Sequence, residues 1–149
     1  KTYQETMSAE KSAANKLAGQ EFLVKNAKKP GVVSLPNGIQ YEILIAGKDT
    51  TKPTIKDKVR CHYHGTTIDG TVFDSSVQRG EPITFPLNGV IKGWQESLPL
   101  MSIGSKWRLY IPAELGYGDR QAGPMIGPGS TLIFEVELLE IKNINSKIK

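Results

Sequence analysis

The sequence predicts an α+β domain: a mostly antiparallel sheet of five or six strands wrapped on one short helix, with a longer α-helix in front of it. Three observations carry this. Residues 1–29 place apolar side chains at helical spacing. From Val32 onward, short apolar runs alternate with polar positions and are cut by turn signals. One stretch within that part, Val90 to Met101, changes period.

The elements follow in order. Residues 1–29 are rich in Ala, Lys, Glu and Gln, with Gly19 as a breaker. Met7, Ala14, Leu17, Ala18 and Phe22 make a narrow, Ala-rich apolar face that needs a partner to cover it. Docking away from the domain is the expectation, and packing back on it is the alternative. Pro30-Gly31 ends the helix. Residues 1–30 are therefore read as a helical arm and residues 31–149 as the compact domain. Pro36-Asn37-Gly38 is a turn, after which Ile39, Tyr41, Ile43 and Ile45 alternate as in a strand. Val59, Cys61 and Tyr63 alternate with Arg60, His62 and His64 in a half-buried strand, and Asp69-Gly70 is a hairpin turn. Ile83, Phe85 and Leu87 alternate again. Trp94, Leu98 and Met101 suit a short helix, and Trp107, Leu109 and Ile111 a strand. Residues 116–129 form a long glycine-rich loop with Pro124 and Pro128. Leu132, Phe134, Val136 and Leu138 share one face of the last and longest strand.

Composition narrows the function. The net charge is +4 over 149 residues, and the lysines are scattered. A nucleic-acid surface needs a basic stripe with aromatic partners, which the groups at Lys25, Lys28, Lys29 and at Lys142, Lys147, Lys149 lack. One cysteine, Cys61, allows no intrachain disulfide and no Cys-based zinc site. No apolar run approaches the roughly 18 residues of a membrane span. The chain opens abruptly at Lys1, which would suit a processed export product; the cell envelope is expected ahead of the cytoplasm.

Common catalytic sets find no motif support, although a Ser-His-Asp triad is formally possible. Gly127-Pro128-Gly129 lacks the Lys and Ser/Thr of a phosphate loop. His62 and His64, the two histidines, could share a strand face and hold a metal, but no further ligand clusters with them; an exposed polar face is the plainer reading. What stands out is apolar and aromatic content near turns and element ends: Tyr63, Phe73, Phe85, Val90, Ile91, Trp94, Tyr117, Ile126 and Phe134. Most such residues are ordinary core. Tyr117, between Gly116 and Gly118, is a poor core candidate, and Trp94 could be a floor residue.

Six runs give these residues a context. They are Val59–Gly65, Asp69–Ser76, Arg79–Phe85, Gly89–Trp94, Ile111–Gly118 and Ser130–Leu138. In order and spacing they resemble the FKBP-type peptidyl-prolyl cis-trans isomerases, from about Gly38 to Ile141. The leading helix and Lys28-Lys29-Pro30-Gly31-Val32-Val33 look like the bacterial subgroup that includes the macrophage infectivity potentiator, which pairs through a helical arm.

The resemblance implies a pocket of Tyr63, Phe73, Asp74, Ile83, Val90, Ile91, Trp94, Tyr117, Ile126 and Phe134, with Trp94 as floor. Asp74 and Tyr117 are its polar members, the Ile91 N–H a donor, and Arg79 the residue that holds Asp74 and Tyr63. Asp74, Tyr117, Ile91 and Phe73 are the candidate catalytic residues. Asp74 would pair with Arg79, or orient water or the substrate amide; alternatively Asp74-Ser75 only caps a turn. Ala122, Met125 and Ile83 depart from the usual family residues, which bears on substrate preference and macrolide affinity. The implied partners are proline-containing polypeptides, with rapamycin and tacrolimus as inhibitors, no metal or cofactor, and a homodimer through the arm. A holdase or docking module with little activity is the competing reading.

Overall fold

The computed structural model describes residues 3–47, 51–68, 70–118 and 129–142. Helix α1 (Tyr3–Asn26) leads into strands β1 (Val32–Ser34) and β2 (Gln40–Ile45). Then come β3 (Lys58–Thr67), β4 (Val72–Ser75), the one-turn helix α2 (Ser76–Arg79) and β5 (Ile83–Pro86). Helix α3 (Lys92–Ser97), β6 (Lys106–Ile111) and β7 (Leu132–Lys142) are the remaining elements among the described residues, with short 3-10 turns at Leu87–Gly89, Leu98–Leu100 and Ala113–Leu115.

Among the described residues the strands form one antiparallel sheet of seven, in the order β1-β2-β6-β7-β3-β4, with β5 also on β3. That exceeds the expected five or six because one edge of β3 is shared. Residues 58–61 pair with β5 and residues 64–66 with β4, while β7 pairs along the opposite edge. Helix α2 spans the gap between β4 and β5.

Alternation decides what is buried. Val59, Cys61 and Tyr63 of β3 point inward, as do Trp107, Leu109 and Ile111 of β6 and Leu132, Phe134, Val136 and Leu138 of β7. Against this face pack Leu87, Trp94, Leu98 and Met101. Helix α3 lies directly on β6 because Gly93 carries no side chain: a Cβ there would meet Ile111 Cγ2 at 2.5 Å. The opposite face is polar and crosslinked. Arg108 bonds Glu135 at 2.8 Å and Glu42 at 3.3 Å.

Helix α1 stops at Asn26, four residues before Pro30. Asn26 Nδ2 donates to Gln40 Oε1 at 2.8 Å, and Gln40 Nε2 donates to the Leu23 carbonyl at 2.9 Å. Phe22 and Tyr110 bring their ring centroids to 5.9 Å. The stretch from Gly19 to Asn26 thus packs on the sheet, while Leu17 (57% exposed) and Val24 (62% exposed) stay uncovered.

Gly19 permits this docking, since a Cβ there would stand 2.1 Å from Thr131 Oγ1 and 3.0 Å from Thr131 Cβ. Alanine gains about 1 kcal/mol over glycine inside a helix. Gly19→Ala is nevertheless expected to melt at a lower temperature than the parent protein, because the clash outweighs the propensity. A raised midpoint in a thermal melt would show that α1 does not need so close an approach.

Candidate active site

The concave side of the sheet holds a cavity of about 620 Å³, lined by Tyr63, Phe73, Asp74, Phe85, Gly89, Val90, Ile91, Trp94, Tyr117 and Phe134. This is a volume suited to a small ligand or a peptide segment. Strand β3 supplies Tyr63, β4 supplies Phe73 and Asp74, β5 supplies Phe85, and β7 supplies Phe134.

Trp94, only 4% exposed, forms the base. Tyr63 and Phe134 meet it edge-on, with centroids 5.4 and 5.1 Å away, and Phe85 is tilted against it at 5.2 Å. Phe73 stands edge-on to Phe134 at 5.4 Å. Edge-to-face contacts of this kind lock ring orientations and favour one arrangement over a sandwich. The indole Nε1 is buried without a hydrogen-bond partner among the described residues.

The polar corner is a closed triangle. Tyr63 OH donates to Asp74 Oδ2 at 2.6 Å, Arg79 Nη1 pairs with Asp74 Oδ1, and Arg79 Nη2 donates to Tyr63 OH at 3.1 Å. Burial pushes the Asp74 carboxyl upward, but the bonds from Tyr63 and Arg79 and the guanidinium charge outweigh it and hold the group below its ordinary value. Burial and the Asp74 bond together push the Tyr63 phenol up. The carboxylate therefore stays charged and the phenol protonated at neutral pH.

Local sequence explains the placement. Ser75 caps α2, its hydroxyl accepting from the Gln78 N–H at 3.1 Å, and Gly80 closes the turn at φ 83°, where a side chain would be strained. The turn cap is thus Ser75, while Asp74 faces the cavity. Ser76 Oγ accepts from the Tyr63 N–H at 2.7 Å and lies 2.6 Å from His62 Nδ1; Ser75 Oγ lies 2.9 Å from His64 Nδ1. The two half-buried histidines tie β3 to the junction of β4 and α2. No group of three metal-ligating side chains occurs among the described residues.

Gln95 Nε2 donates to the Val90 carbonyl at 2.7 Å and so pins the turn entering α3. The Ile91 N–H has no acceptor among the described residues. Tyr117 is held at the neck of its loop, where the Gly118 N–H bonds the Ala113 carbonyl and the Gly129 N–H bonds the Gly118 carbonyl, both at 2.7 Å. Buried Cys61 is pushed up to about 12 by desolvation, which leaves it a thiol rather than a nucleophile.

The cavity thus brings together nine residues singled out from sequence: Tyr63, Phe73, Asp74, Phe85, Val90, Ile91, Trp94, Tyr117 and Phe134. Arg79 stands behind Asp74. Ile83 does not line the cavity; it pairs with Cys61 and packs against the core, and Phe85, two residues on, supplies the wall. The alternation of Ile83, Phe85 and Leu87 contained that signal. Gly89 has no side-chain signal at all. Ile126, Ala122, Met125 and Asp69 lie outside the described residues.

Comparison with known proteins supplies the relationship. The family of FKBP-type peptidyl-prolyl cis-trans isomerases matches residues 49–139, and the domain amino-terminal to such isomerases matches residues 1–43. The FKBP-type 22 kDa peptidyl-prolyl cis-trans isomerase of Escherichia coli (strain K12) is 58% identical over 83% of this chain and 59% of its own length. The outer membrane protein MIP of Legionella longbeachae is 49% identical over 89% of this chain and 56% of its own length. The chain thus spans less than two thirds of either relative. The crystal structure of FkpA from Escherichia coli superposes with a TM-score of 0.87 at 44% identity, covering 93% of this chain and 64% of that one.

Proposed function

The chain belongs to the FKBP-type peptidyl-prolyl cis-trans isomerases, and we propose that its aromatic cavity accelerates rotation about X–Pro bonds in polypeptides. The observation that carries this is the set of rings around Trp94 beside a backbone donor, Ile91 N–H, that has no acceptor among the described residues, and the Tyr63–Asp74–Arg79 triangle.

Rotation about an amide costs about 18–20 kcal/mol because resonance is lost in the twisted state. X–Pro bonds populate both isomers yet exchange over tens to hundreds of seconds. In the twisted amide, nitrogen and carbonyl no longer share charge, so the group is less polar than the planar form. Moving it among Trp94, Phe85 and Phe134 costs less than moving the planar amide. That difference is selective stabilisation of the transition state, and each 1.4 kcal/mol or so gives tenfold in rate. Ile91 N–H and Tyr117 OH are the donors that hold the flanking carbonyls while the bond turns. Neither covalent chemistry nor a metal is needed for this step.

Rapamycin and tacrolimus compete for the same cavity on this reading. A second copy of the chain pairs through α1, whose Leu17 and Val24 are exposed one face-repeat apart. The cell envelope is the proposed location, in line with the outer membrane protein named among the relatives.

Two-dimensional exchange NMR on an apolar-X-Pro-Phe peptide tests the reading without a coupling protease. Acceleration by the wild type, blocked by rapamycin, is expected. Tyr117→Phe should lower kcat/KM about three- to tenfold, the size of one lost hydrogen bond, with the fold intact by circular dichroism. A folded wild type that leaves the peptide at its uncatalysed rate would make the cavity a docking module for proline-containing segments instead.

A further inference from the structure

We propose that Gly65 sets the width of the cavity and thereby decides which residues before proline are accepted. This rests on the isomerase reading and adds a specificity-determining position to it.

Gly65 lies in the longest stretch of the sheet, inside β3, paired with Asp74 of β4 on one side and Phe134 of β7 on the other. Glycine inside a strand weakens it and often marks a close approach. Backbone freedom does not explain it here, because Gly65 is not among the glycines with positive φ. What excludes a side chain is the two rings. A Cβ at Gly65 would meet Phe73 Cζ at 2.7 Å, Phe73 Cε1 at 2.9 Å and Phe134 Cε1 at 2.9 Å. Both rings line the cavity, and they stand edge-on to each other at 5.4 Å directly over the bare Cα.

Carbon atoms prefer separations of about 3.5–4.0 Å. One added methyl would therefore force the Phe73 ring back by about 1 Å. The sheet backbone is behind it, so the ring moves into the cavity. Phe134 cannot give way freely either, because its other side rests on Trp94 at 5.1 Å. With the imino ring on Trp94, the displaced wall takes space from the side chain next to it. The loss then grows with the size of that side chain. Such discrimination by a hydrophobic pocket amounts to about 10–200-fold per methylene.

The test compares kcat/KM of wild type, Gly65→Ala and Gly65→Ala/Phe73→Leu on two peptides, Ala-Pro-Phe and Leu-Pro-Phe, by exchange NMR. Gly65→Ala is expected to lose at least tenfold more on the leucine peptide than on the alanine peptide. Shortening the ring in the double variant is expected to return the Leu:Ala ratio to within about threefold of wild type. Equal losses on both peptides, or a ratio that Phe73→Leu does not restore, would overturn the proposal. If Gly65→Ala does not fold, Phe73→Leu alone decides: it should raise the Leu:Ala ratio above wild type, and an unchanged ratio rejects the idea. A wild type inactive on both peptides removes the isomerase reading itself, which separates that failure from this one.

Discussion

Trp94→Ala is expected to abolish measurable acceleration of X–Pro exchange and to cost about 3–5 kcal/mol of stability, the range for emptying a buried tryptophan site. The indole touches three rings, Tyr63, Phe85 and Phe134, each with its centroid within 5.1–5.4 Å. Removing it leaves those rings without a common support, so the cavity loses its floor and its walls lose their register. Trp94→Phe separates the two effects. It keeps an aromatic floor and deletes a buried N–H that has no partner among the described residues. An unpaired buried donor costs about 1–3 kcal/mol, so part of the lost packing is offset. Urea denaturation read beside exchange NMR should therefore place Trp94→Phe well above Trp94→Ala in both stability and rate. An alanine variant within about 1 kcal/mol of wild type would mean the core closes over the gap.

The second large effect is at Asp74. Asp74→Asn keeps the shape and removes the charge, which leaves the Arg79 guanidinium without its counter-ion and the Tyr63 hydroxyl with a weaker acceptor. A loss of about tenfold or more in kcat/KM is expected, since Tyr63 and Asp74 both line the cavity. Stability should change little, because the ion pair is 43–47% exposed and solvent screens it. The pH dependence has a definite sign. The folded carboxyl titrates below its unfolded value of about 3.9. Its contribution to stability is complete above that value and is lost as pH falls through the lower folded pKa. Wild-type activity should thus be flat with respect to this group down to about pH 4 and fall only below it. A decline already at pH 6 would point to a group other than Asp74.

Much of this was legible because period and burial coincide. The inward sets of β3, β6 and β7 follow from strict alternation, and Trp94 follows from the change of period at Val90. The resemblance carried Asp74 and Arg79, which no periodicity distinguishes from surface groups. What could not be read is spatial. Ile83 and Phe85 share one strand face, and only the crossing of α3 decides which of them reaches Trp94. The roles of Gly19, Gly65 and Gly93 are invisible for a plain reason: a glycine that yields space to a ring or a helix looks like one that merely bends the chain. The docking of α1 was obscured by its Ala-rich face, because beside Phe22 the anchoring groups are amides, Asn26 and Gln40.

The position of β7 has a consequence for biosynthesis. This strand lies between β6 and β3, pairing residues 132–142 with residues as distant as Lys58. Until it arrives, β1-β2-β6 and β3-β4-β5 are two separate groups of paired strands. A nascent chain can form α1 and the β3–β4 hairpin locally, yet the sheet cannot close until Lys142 has left the ribosome. Contacts so distant in sequence make for slow folding, in the millisecond-to-second range of non-local β topologies. During that interval the apolar faces of β3 and β6 are open to other chains. The last strand to be made is thus the one that takes those faces out of reach.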